Sequence, residues 1–104
     1  MNEFQTQCMY LALRMVREER ERQHTQRDEQ NLSMEHYGSL LMEEVGEFFT
    51  EANDLRYGGK PDDNRTPHER RLAMRNELIQ VAAMAVQMVE CIHREIDREA
   101  NNAR

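Results

Sequence analysis

The chain has no tryptophan, four glycines, two prolines and two cysteines in 104 residues. So few glycines and prolines exclude collagen-like and Pro/Gly low-complexity chains. Aromatic residues, which favour strands, make up only 6%, whereas Glu, Arg, Leu, Met and Ala are abundant; that balance favours helix. Cys8 and Cys91 give neither a disulfide framework nor metal-ligand spacing. Each lies in an apolar helical stretch, so both are expected as buried core thiols. No segment approaches the ~20 apolar residues of a membrane span. The N-terminus carries no signal-peptide pattern, because Glu3 comes early and the apolar run over residues 8–13 is short. The expectation is a cytoplasmic protein with no membrane partner.

What is present is charge. Charged residues make up 33% and apolar ones 38%, with a net charge of −6. A chain of this length holds one domain, residues 1–104, and so lean a core implies that apolar surface is also buried between subunits. The negative balance argues against a nucleic-acid polymer as partner. It leaves a nucleotide open, since a metal ion can bridge acidic side chains to phosphates. Lys60 is the single lysine beside thirteen arginines, a residue suited equally to phosphate contacts and to surface ion pairs.

Three helical segments are expected, giving an all-α bundle completed by dimerisation. The first spans about 3–22, with Phe4, Cys8, Leu11 and Met15 recurring at helical spacing. Its far end, residues 17–22, is a mixed charge run read as a solvated, ion-paired face. Residues 23–33 lack apolar periodicity and read as a polar connection with room for a further helical turn. The second helix starts near Ser33 as N-cap and stops before Gly58-Gly59; residues 60–65 are a loop by composition. In the third, Thr66-Pro67-His68-Glu69 combines a Thr cap, Pro at the first position and Glu three residues on. No breaker follows before Asn101-Asn102. Some thirty residues at ~1.5 Å each make about 45 Å, too long for a three-helix monomer to cover. Either this helix breaks, or its far half packs on another subunit.

The acidic residues stand where apolar ones belong. At ~100° per residue, Tyr37, Leu41, Phe48 and Leu55 fall within about 60° of Glu44, which is thus in the middle of its apolar face. Glu47 lies at the edge of that face, Glu51 close to the same direction, and Glu43 points away. On the third helix Met74, Val81, Met84 and Met88 surround Glu77, with Gln80 at the edge. Such carboxylates need arginine partners, a shared proton or a bound cation. Oxygen-only ligands favour Mg²⁺ or Mn²⁺ over zinc. Periodicity alone leaves a metal site and structural ion pairs both open.

The run Glu43-Glu44-Val45-Gly46-Glu47-Phe48, followed by Glu77-Leu78-Ile79-Gln80-Val81-Ala82-Ala83-Met84-Ala85, resembles the MazG-like branch of the all-α nucleoside triphosphate pyrophosphohydrolases. The resemblance covers roughly residues 20–95 and includes the polar stretch with Gln26, Glu29, Gln30 and Asn31. It implies a helical dimer or dimer of dimers whose acidic positions hold Mg²⁺. The implied reaction is hydrolysis of a nucleoside triphosphate between the α- and β-phosphates. Glu44, Glu47 and Glu77 match the metal-binding glutamates, while Gln80 stands where the family has Asp. An amide oxygen can ligate Mg²⁺ but brings no charge and cannot act as a base.

On that reading Glu44 and Glu47 are the catalytic candidates, with Glu47 the first choice to orient or deprotonate water, and Glu51 in reserve. Arg71 and Arg75 are candidates for the phosphates, against the plainer assignment of surface arginines. Gln26, Gln30 and Asn31 are base-edge candidates on the resemblance alone. Tyr37 could stack on a base, although core packing suits its position better. His24 and His36 are read as solvent-exposed or cap-proximal, and the eight methionines mainly as core filler. The competing reading is a non-catalytic interaction protein, or a nucleotide-binding module without turnover, whose acidic face pairs with arginines of another subunit.

Overall fold

A computed structural model of the chain describes residues 1–27 and 31–103. Three helices follow one another, α1 (Glu3–Arg27), α2 (Met34–Tyr57) and α3 (Pro67–Asn102), and no strand occurs among the described residues. Both α1 and α2 pack on α3, and among the described residues they do not pack on one another. α3 is therefore the spine of an elongated molecule, 60 × 36 × 23 Å.

Local chemistry sets the ends of α2 and α3. Ser33 accepts from the His36 amide at 3.1 Å at the start of α2. Gly58 closes α2 at φ 81°, a left-handed-side conformation that an L side chain resists, and its N–H donates to the Asp54 carbonyl at 3.0 Å. α3 opens with a reciprocal pair: the Glu69 amide donates to Thr66 Oγ1 at 3.1 Å and the Thr66 amide to Glu69 Oε1 at 3.2 Å. These bonds hold the Glu69 carboxyl below its ordinary range.

The loop between them is tied down by two arginines. Arg65 reaches Asp63 and Glu51, each at 2.9 Å, and Asp54 at 3.5 Å. Arg70 is buried and donates to the carbonyls of Asp54 (2.9 Å), Arg65 (3.3 Å) and Asp63 (3.4 Å). Arg65 holds the Asp63 carboxyl down to about 2. Gly59 passes so close that a β-carbon there would stand 2.5 Å from Asp63 Oδ2 and 2.9 Å from Arg70 Nη1.

The core between α2 and α3 gathers around Tyr37, Met84 and Cys91, flanked by Leu32, Met34, Leu40, Leu41 and Met88. Cys91 Sγ lies 3.3 Å from the Tyr37 hydroxyl, and burial followed by that contact raises the Tyr37 pKa.

Three expectations are corrected, and one left open between two outcomes, the course of α3, is decided. α1 continues five residues past Arg22 to Arg27, because Arg22 ties one turn to the next through Glu19 and Gln26. α3 does not break; it runs unbroken for 36 residues. Cys8 is exposed, within a stretch of α1 whose residues 7–14 are all exposed, whereas Cys91 is buried. The charge run at the end of α1 is solvated only in part. Arg14–Glu18 and Arg17–Glu21 are exposed pairs, but Arg20 is buried against Glu90 at 2.8 Å, and the Glu19 side chain is only 10% exposed. Of the methionines, Met1, Met9 and Met42 are exposed.

Candidate metal centre

Two turns of α2 and one of α3 build the site. Glu44 and Glu47 are one helical turn apart and Glu77 stands opposite, on the helix that α2 packs against. The three offer carboxylate oxygens that all lie within 4.8 Å of one another. Glu44 and Glu77 are half-buried and Glu47 is exposed, so the cluster opens to solvent on one side.

Three like charges this close repel by roughly 3 kcal/mol per pair at an effective dielectric of about 20. Glu77 shows the consequence. Burial first, then a hydrogen bond to Glu47 and the charges of Glu47, Glu44 and Glu51, push its pKa up to about 7. Its Oε2 is buried without a hydrogen-bond partner. No arginine, lysine or histidine forms an ion pair with Glu47 or Glu77 among the described residues. The contrast with the neighbouring acids is direct: Glu51, Asp54 and Asp63 are all compensated by Arg65. Glu51, the reserve candidate for the water, is thus committed to a structural ion pair.

The donor set fits a hard divalent cation. In octahedral Mg²⁺ coordination at ~2.1 Å, neighbouring oxygens stand about 3.0 Å apart and opposite ones about 4.2 Å, so the three oxygens, all within 4.8 Å of one another, would have to draw in to share one ion. A cation would satisfy the orphaned Glu77 oxygen and remove the repulsion together.

Gln80, the fourth expected ligand, is engaged by α1. Its Nε2 donates to Glu19 Oε1 at 2.9 Å, and its Oε1 accepts from Gln23 Nε2 at 3.2 Å. Glu19 is held in turn by Arg22, whose guanidinium chelates the carboxylate and, with Gln80, lowers its pKa. Glu18, Glu19, Arg22, Asn76 and Gln80, with Met15 and Ile79, line a groove of about 430 Å³ on this side of α3. Glu19 and Gln23 are absent from the sequence-derived site, although a signal pointed to Glu19. Carrying the stripe of Phe4, Cys8, Leu11 and Met15 on by four residues reaches Glu19, as the same projection reached Glu44 and Glu77 on their helices.

The expected substrate contacts lie elsewhere. Arg71 and Arg75 are exposed and stand about 120° and 160° around α3 from Glu77, turned away from the carboxylates of their own chain. Arg75 donates to the Asn76 side chain at 3.4 Å. Gln26 is exposed and accepts from Arg22 at 2.9 Å; Asn31 accepts from Arg94 at 3.1 Å; Gln30 lies outside the described residues. Tyr37 is 1% exposed in the core, which leaves no open ring face for a base and corrects its place among the binding candidates. His24 and His36 are both exposed.

Comparison of the chain with protein-family models, with curated proteins and with solved structures finds no match in any of the three. The site therefore stands on its own geometry.

Proposed function

We propose that the chain is a Mg²⁺-dependent nucleoside triphosphate pyrophosphohydrolase of the MazG-like kind. The observation that carries this reading is the convergence of Glu44, Glu47 and Glu77, with a buried Glu77 oxygen that lacks any partner. Their arrangement on facing helices is the one that the two acidic motifs imply. Mn²⁺ could replace Mg²⁺ in an all-oxygen set.

In this reading Glu44, Glu47 and Glu77 hold the cation. Bound there, the cation would neutralise triphosphate oxygens and the charge developing on the leaving pyrophosphate. Glu47, the most exposed of the three, orients the attacking water and takes its proton. The α–β anhydride bond breaks, giving a nucleoside monophosphate and pyrophosphate.

Assembly into a dimer belongs to the same proposal. Phe4, Tyr10, Leu11 and Leu13 on α1, and Val89, Ile92 and Ile96 on α3, are 41–72% exposed in the single chain. That much apolar surface on long helices favours burial against a second copy. It equally favours the second reading, a non-catalytic assembly protein. No helix of the described residues is long and apolar enough to cross a membrane.

Turnover separates the readings. Pyrophosphate release from a panel of ribo- and deoxyribonucleoside triphosphates, with Mg²⁺ and with chelator, is the test. Metal-dependent release that falls at least about 100-fold in Glu44→Ala supports the enzyme. A folded protein with no release from any triphosphate leaves the assembly reading.

A further inference from the structure

The neighbours of α3 flank it on two sides only. α2 meets it along Met84 and Cys91, and α1 along Gln80 and Glu90. At ~100° per residue a third side is centred on Val89, with Leu78, Ala82, Ala85, Ile92 and Ile96 all within about 60° of it. Leu78, Val89, Ile92 and Ile96 are 41–56% exposed there.

These six positions follow one another at steps of four, three, four, three and four residues. That is the a/d spacing of a coiled coil, and it is narrower than the stripe by which a helix packs inside its own domain. The same steps run on to charged residues at both ends, Arg75 and Arg71 before Leu78 and Glu99 after Ile96. Arg75 and Glu99 are exposed, and among the described residues neither forms an ion pair within the chain. The seam is thus apolar in its middle, basic at its N-terminal end and acidic at its C-terminal end.

What complements such a seam is the same seam reversed. Set antiparallel about a two-fold axis level with Gln87, it brings Leu78 against the partner's Ile96, Ala82 against the partner's Ile92 and Ala85 against the partner's Val89. Each alanine then faces a branched side chain, so the layers fill evenly. Arg75 comes against the partner's Glu99 at both ends of the pair. A parallel pair would stack alanine on alanine and isoleucine on isoleucine. It would also set arginine against arginine and glutamate against glutamate.

We propose that α3 forms an antiparallel coiled coil with α3 of a second copy of the chain, in the register that pairs Arg75 with the partner's Glu99. The inference rests on the dimer reading above, to which it gives a face, a direction and a register, and it holds for either function. Glu77 stands about 120° around α3 from Val89, so the glutamate cluster lies outside the seam.

Sedimentation of the full chain over a range of concentrations, with circular dichroism to confirm folding, tests it. Arg75→Glu and Glu99→Arg should each raise the dimer dissociation constant about tenfold, because each sets two like-charged contacts into the interface. The double variant restores opposite charges in this register, and its dissociation constant should return to within about threefold of wild type. Single variants that dimerise as the wild type does overturn the register, and so does a double variant no better than the singles. Val89→Glu, a change at an exposed position, should leave a folded monomer. A dimer that persists in Val89→Glu places the contact on another face and overturns this inference while the dimer reading stands. A wild-type chain that stays monomeric overturns both.

Discussion

Glu77 concentrates the physics of the site in one side chain. Its folded pKa of about 7 lies above the ordinary 4.5, so the folded state prefers it protonated. Stability from that preference is full below about pH 4.5 and is lost as pH rises through 7. In chelator, the thermal midpoint of wild type should therefore fall between pH 5 and pH 8 relative to Glu77→Gln. After allowance for solvent screening the difference should be on the order of 1 kcal/mol, or about 5 °C, read by calorimetry. Saturating Mg²⁺ should restore the wild type at pH 8 and leave Glu77→Gln where it was. Glu44, Glu47 and Glu77 were legible in the sequence because a carboxylate in the middle or at the edge of an apolar stripe breaks a simple pattern. Tyr37 was legible as a core residue by the same periodicity. Arg71 and Arg75 were named from charge and proximity in sequence; their angle from Glu77 on the same helix already turned them away.

The elements differ in how openly their sequences announce them. The start of α3 is written in four residues, Thr66 to Glu69, and the structure shows both bonds of that box. Thr66→Ala should cost about 1 kcal/mol in chemical denaturation, with the site geometry unaffected. Gly59 is a different case, because its need comes from the loop folding back and not from local propensity. Gly59→Ala should force Asp63 and Arg70 apart and lower the thermal midpoint by more than Thr66→Ala does. The end of α1 was the hardest to read. Residues 23–27 carry no apolar marker, and their helix is held by side-chain pairs such as Arg22 with Glu19 and Gln26, which composition alone does not distinguish from a solvated linker. The inward turn of Glu19 and Arg20 was hidden for a related reason. A run of alternating charges looks solvated until the partners on α3, Gln80 and Glu90, are known.

At the scale of the whole molecule, a 36-residue helix serves as spine and is only partly covered by its two neighbours. The length of α3 was legible from the missing breakers. The way α1 packs on it was not, because contact between helices depends on faces that single-chain periodicity defines for each helix separately. The exposed Val89, Ile92 and Ile96 and the apolar half of α1 supply the surface for the proposed dimer. Light scattering should give twice the 12.4 kDa chain mass or a higher multiple, and Ile92→Glu should shift the mass towards the monomer. A wild type that stays monomeric at high concentration would contradict the assembly.

In the proposed function, three glutamates from two helices direct water to the α–β bond of a nucleoside triphosphate. Phosphorus NMR of the triphosphate incubated with protein and Mg²⁺ tests it most directly. Monophosphate and pyrophosphate should appear in equal amounts, and neither should form with Glu44→Ala. Diphosphate with orthophosphate would place the cut at the wrong bond, and an unchanged spectrum from a folded protein across the triphosphate panel would contradict the enzyme outright.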